Sequence, residues 1–117
     1  MTPFGAKLRT LRAERGLRLK DMAAALDVSS AYLSALEHGQ RGRPSGGLVQ
    51  QISAYFNLAW DDVDELKRLA ELSHPRVVVD TAGLSPRATE LANRLAENIA
   101  ALDEATIEDL LNRLNTR

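Results

Sequence analysis

Residues 17–44, LRLKDMAAALDVSSAYLSALEHGQRGRP, decide the fold of this chain. Met22, Ala23 and Leu26, then Leu33 and Leu36, recur at steps of three and four, with Val28 in a break from Asp27 to Ser29, the spacing of two short helices whose apolar faces meet across a tight turn. Ala23 is small where the helices cross, Val28 fills the corner, and Ser29 is placed to cap the second helix with its hydroxyl on free backbone N–H groups. Gly39, two residues after Glu37, can take the positive φ that ends a helix. Two helices so joined and followed by a basic loop are suited to laying one helix in a DNA groove.

The rest of the composition agrees with a helical protein. At 117 residues the chain has room for one core, or for one compact domain with a small appendage, and not for two large domains. It is 44% hydrophobic but only 4% aromatic, and Leu and Ala dominate, which favours helix over sheet. There is no cysteine, so disulfides, thiolate metal ligands and thiol nucleophiles are excluded, as suits a reducing cytoplasm. Neither the N-terminal residues nor any later stretch has the uninterrupted apolar length of a signal peptide or membrane span, so the expected location is cytoplasmic, with no membrane partner.

The net charge of −1 conceals an asymmetry: residues 1–45 carry +4 and residues 46–117 carry −5. A basic N-terminal part joined to an acidic remainder is expected of an oriented nucleic-acid binder, its acidic part turned from the phosphates.

Outward from the opening stretch, Thr2 and Pro3 supply a cap and a first helical position, and Phe4, Leu8 and Leu11 mark one face of a helix from Pro3 to about Arg15. The two motif helices follow at about 19–26 and 30–37. Ser45 is placed to cap a helix with Leu48, Ile52 and Phe56 inside, and Asp61 another with Val63, Leu66, Leu69 and Ala70 inside. The helical pattern stops at His74-Pro75, and Arg76-Val77-Val78-Val79-Asp80 is a β-branched run that reads either as a short strand pairing with a second copy or as an extended linker laid on the core. Ser85-Pro86 restarts a helix with Leu91, Leu95, Ile99 and Leu102 on one stripe, and Asp103 begins a last helix with Ile107, Leu110, Leu111 and Leu114 on its face. Such a hairpin is too small to bury both stripes by itself. The expected organisation is a DNA-binding domain over 1–72, a linker or short strand over 73–84 and a helical dimerisation region over 85–117. The dimer interface is assigned to Val77, Val78 and Val79 with the eight Leu and Ile of the two stripes.

The small residue at Ala23, Val28-Ser29 after the turn, and Leu33, Leu36, Glu37, Gly39 and Pro44 downstream resemble the helix-turn-helix of the Cro/cI-type regulators of bacteria and phages, the XRE family, over roughly residues 4–72. Asp27 stands where that family usually carries Gly, and Asp tolerates a left-handed turn better than most residues. The resemblance implies an all-α, lambda-repressor-like domain of five helices. It implies a homodimeric transcriptional regulator, more a repressor than an activator, bound at the nucleoid to an inverted repeat of double-stranded DNA, with no cofactor and no metal. It also implies that Arg12 of the first helix pairs with Glu37 as a structural ion pair, taking Glu37 out of DNA contact.

On this reading the helix from Ser30 enters the major groove with Ser30, Ala31, Ser34 and Ala35 outward and Tyr32 beside them. Ser donates or accepts toward several bases and Ala suits the thymine methyl, but no Arg, Asn or Gln is present for a bidentate contact, so direct readout is thin. Tyr32 either packs on sugar or thymine or belongs to the core, and His38 either touches phosphate or caps its helix. Gln40, Arg41, Arg43 and Ser45 read as a Gly-rich phosphate clamp at a helix N-terminus, with Gly46 and Gly47 admitting close approach, or Arg43 reaches instead into a narrowed A·T-rich minor groove. Arg18 and Ser29 complete the DNA-binding set.

Catalysis is disfavoured, since His38 and His74 are isolated and no HExxH, GxSxG or GxxxxGK[ST] occurs. A second reading keeps the fold but makes the chain an antitoxin or co-regulator whose Leu-rich end engages an unidentified protein partner.

Overall fold

A computed structural model of the protein describes residues 1–40 and 43–115. It divides into two compact units, Met1–Val77 and Val78–Arg117. Every regular element described is helical.

The first unit holds five helices: α1 (Pro3–Glu14), α2 (Leu19–Leu26), α3 (Ser30–Glu37), α4 (Gly46–Tyr55) and α5 (Trp60–Glu71). Four of the expected starts and stops have the chemistry read from the sequence. The Thr2 hydroxyl accepts from Gly5 N, with Pro3 as the first helical residue; Ser29 Oγ accepts from Tyr32 N at 3.0 Å; and Ser45 Oγ accepts from Leu48 N at 3.1 Å. Asp27 closes α2 in the left-handed conformation at φ 58°, ψ 45°, as the motif requires of this position. The start of α5 differs. Ala59 is its N-cap and has no side chain to offer, while Asp61 falls inside the first turn, where a carboxylate still favours the positive end of the helix.

One core joins the five helices: Phe4, Leu8 and Leu11 of α1, Met22, Ala23 and Leu26 of α2, Leu33 and Leu36 of α3, Leu48, Val49, Ile52 and Phe56 from α4, and Leu66 and Ala70 of α5. Val63 and Leu69, expected inside, are only half-buried. Ser73 belongs to this unit as much as any core residue. Its hydroxyl, 1% exposed, accepts from Phe4 N at 2.9 Å and donates to the Leu69 carbonyl at 2.6 Å, tying the start of α1 to the end of α5 across 69 residues. At the other end of α1, Arg15 lies over the Phe56 ring, 4.9 Å from its centroid, and donates to the Phe56 carbonyl.

The β-branched run does not form a strand. Residues 77–80 have no regular structure, and Val77, Val78 and Val79 are 70%, 95% and 65% exposed.

The second unit contains α6 (Pro86–Asn98), a 3-10 turn (Ile99–Ala101) and α7 (Glu104–Asn115). Ser85 caps α6 through Ala88 N, and Asp103 Oδ1 accepts from Thr106 N at 2.8 Å at the head of α7. Their stripes, Leu91, Leu95, Ile99, Leu102, Ile107, Leu110, Leu111 and Leu114, line a single apolar cleft. Neither helix has a buried residue.

Candidate nucleic-acid interface

The α2–turn–α3 unit is built to hold α3 rigidly by one side and leave the other open. Leu33, Leu36 and Glu37 are buried, whereas Ser29, Ser30, Ala31 and His38 are exposed, and Ser34 and Ala35 are half-buried. The side that is held is fixed mainly by α1. Arg12 donates from Nε (3.2 Å) and Nη2 (2.8 Å) to Glu37 Oε1, and Arg9 Nη2 stands 3.9 Å from Oε2. The main chain is gripped as well: Thr2 N donates to the Glu37 carbonyl at 3.3 Å. Gly5 packs its bare Cα directly against the Glu37 backbone, where any Cβ would overlap the carbonyl. Gly39 then turns the chain away at φ 78°.

Tyr32 is half-buried and packs against the core. His38 is exposed, and its Nδ1 lies 2.8 Å from the Ser34 carbonyl; this is helix-end capping geometry. Arg18 is the N-cap of α2 and is turned onto Asp21, with Nε 3.1 Å from Oδ2 and Nη2 3.4 Å from Oδ1, while Asp21 reaches back to the Arg18 backbone N–H. The Arg18 guanidinium holds the Asp21 carboxyl below its ordinary range. A phosphate at Arg18 has therefore to share or displace Asp21.

The loop places Arg43 and Ser45 in solvent beside the start of α4, and nothing occupies the space where side chains would stand on Gly46 and Gly47. Arg41 lies outside the described residues, and Gln40 is exposed at the end of the α3 turn. Val28, Ser29, Tyr32, Ser45, Gly47, Leu48 and Gln51 line one open groove, so the N-termini of α3 and α4 are neighbours. Two amide-rich helix starts with exposed hydroxyl caps and a nearby arginine form a surface of positive potential. Gln51 was not among the candidates; it lies three residues after Leu48, one helical turn on along α4, and that spacing was the available signal.

The positive charge of residues 1–45 is distributed less simply than its sum. Lys7 pairs with Glu65, Arg9 and Arg12 with Glu37, Arg15 with Glu14 and Arg18 with Asp21. Lys20 and Arg43 extend into solvent. Among the described residues no group of His, Asp or Glu could hold a metal ion, and no helix is long and apolar enough to cross a membrane.

A core of five helices carrying a clamped, outward-facing third helix defines a helix-turn-helix domain, and residues 3–66 match the family of that description; the chain belongs to it. It is 46% identical over 59 residues to the HTH-type transcriptional regulator DdrOP3 of Deinococcus deserti, covering 50% of this chain and 45% of that protein. In Bacillus subtilis it is 33% identical over 63 residues to the HTH-type transcriptional regulator RghRB, covering 54% of this chain and 45% of that protein, and 33% identical over 61 residues to the HTH-type transcriptional repressor RghR, covering 52% and 45%. The chain thus matches less than half the length of these relatives. No solved structure matches it.

Proposed function

We propose that this chain is a sequence-specific, double-stranded-DNA-binding transcriptional regulator that represses as a homodimer on an inverted repeat. The observation that carries the reading is the clamp on α3: buried Glu37 and the Gly5 contact fix the helix from behind while Ser29, Ser30 and Ala31 stand in solvent, Ser29 in a groove it shares with Ser45. A rigid helix with a short-chained face can approach base edges closely. With so little hydrogen-bonding reach on that face, DNA shape and half-site spacing carry much of the selectivity. Repression is supported by the name of one relative. Dimerisation is supported by the apolar stripes of α6 and α7, which leave none of their residues fully buried within one chain and suit a symmetric partner.

Selection from random DNA fragments at two salt concentrations tests the reading. Enrichment of a palindrome whose binding weakens with added salt is expected. Absence of any enriched sequence overturns it. The same apolar cleft also fits an antitoxin or co-regulator that takes a different protein; a chain that is monomeric in isolation, yet binds no palindrome, favours that reading instead.

A further inference from the structure

Residues 76–80 read Arg-Val-Val-Val-Asp, and the sequence is complementary to itself when one copy is reversed. Set antiparallel about Val78, Arg76 falls opposite Asp80 of a second copy at both ends, Val77 opposite Val79, and Val78 opposite itself. Because strand side chains alternate, Val77 and Val79 of both copies then form one apolar face, and the two Arg–Asp pairs flank Val78 on the other. All five residues are exposed, and among the described residues none of them takes part in a backbone–backbone hydrogen bond. Asp80 uses Oδ1 to accept from Ala82 N at 2.9 Å, leaving its second oxygen for a guanidinium.

We infer that residues 76–80 pair with the same residues of a second copy of this chain as an antiparallel two-stranded ribbon centred on Val78, with reciprocal Arg76–Asp80 ion pairs fixing the register. The inference rests on the homodimer proposed above and adds the pairing that aligns it. A two-stranded ribbon is marginal alone, so the ribbon acts together with the apolar stripes that follow in the same chain. Its contribution is specificity of alignment: a slip by one residue mixes the two faces and breaks both Arg–Asp pairs, leaving either Arg76 or Asp80 opposite a valine.

The full-length chain tests this by charge exchange. Arg76→Asp sets Asp opposite Asp, and Asp80→Arg sets Arg opposite Arg, so each variant alone is expected to self-associate about ten-fold more weakly at low salt. Mixed one to one, the two variants restore both attractive pairs, and dimerisation should return nearly to the wild-type level. Cysteine pairing gives an independent readout, since the chain has no native thiol. Val78→Cys places two Cα atoms about 5 Å apart across the ribbon, within disulfide reach, and should cross-link under mild oxidation. Val77→Cys places them about 8 Å apart and should not. Dimerisation that is unaffected in both single variants, failure of the mixture to recover, or equal cross-linking at 77 and 78 overturns the ribbon while leaving a dimer in place. A wild-type chain that is monomeric overturns the dimer and the ribbon together.

Discussion

Arg12 holds one oxygen of Glu37 with two donors, Nε at 3.2 Å and Nη2 at 2.8 Å, and Glu37 is 1% exposed. The pair thus joins the solvent-side edge of α1 to the inner side of α3, and it does so where a carboxylate without a cation is expensive.

Arg12→Ala should destabilise the first unit by about 1–3 kcal/mol, below the full penalty for an orphaned buried charge because Arg9 already stands near Oε2 and can move in. Urea unfolding measures this, and Arg9→Ala combined with Arg12→Ala should lose more than the two single changes added. Strict additivity would show that Arg9 does not share the carboxylate.

Gly5→Ala reverses the usual helix rule. Alanine is the better helix former by roughly 1 kcal/mol, but its methyl group overlaps the Glu37 main chain, and overpacking of that kind costs about 1–3 kcal/mol. The net effect should be a lower midpoint in thermal melting together with weaker DNA binding. Ala substituted at Gly46, where the space is open, is the control and should raise or preserve stability.

Arg43→Ala should weaken binding by similar factors on all DNA sequences, and the slope of log affinity against log salt should fall by about 0.9 for each phosphate contact removed. Arg41→Ala, measured in the same titrations, reports whether the neighbouring arginine contributes equally. A slope unchanged in Arg43→Ala would remove this residue from the phosphate contacts.

Asp103 provides a pH prediction with a definite sign. Its hydrogen bonds from Thr106, side chain first and backbone second, hold the carboxyl below its ordinary value of 3.8. A group depressed in the folded state stabilises it above the unfolded value, and this contribution fades as pH falls through the folded one. Helix content of α7, followed by backbone NMR shifts, should therefore be retained at neutral pH and decline below about pH 4 in the wild type. In Asp103→Asn the cap is kept but the titration is removed, so that acid-dependent decline should shrink.

Legibility in the sequence followed the range of the interactions. The caps at Thr2, Ser29, Ser45, Ser85 and Asp103, and the left-handed turn at Asp27, act within three residues of themselves, and local reading located them. Asp61 misled because Asp suits a cap and a first turn alike, and only the path of the backbone distinguishes them. Gly5 and Ser73 were invisible for the opposite reason: each makes its decisive contact 32 or 69 residues away, with Glu37 and Phe4. The Arg12–Glu37 pair, 25 residues apart, was accessible through family resemblance alone. Arg18 was placed in the DNA-binding set, and its contact with Asp21, one helical turn on, was not read from the sequence. The Val77–Val79 run was ambiguous because a strand is defined by its partner, and the described residues of one chain contain none.

The attachment of α3 has a consequence for changing what the protein recognises. Anchorage resides in Leu33, Leu36, Glu37 and the contacts of Glu37 with α1, while Ser30 and Ala31 stand in solvent apart from it. The side chains that hold the fold and those left in solvent are thereby different ones of a single eight-residue helix. If the proposed function holds, the outer positions are interchangeable type in a fixed frame, and replacing them by Arg, Asn or Gln should change the preferred DNA sequence while the frame holds its shape.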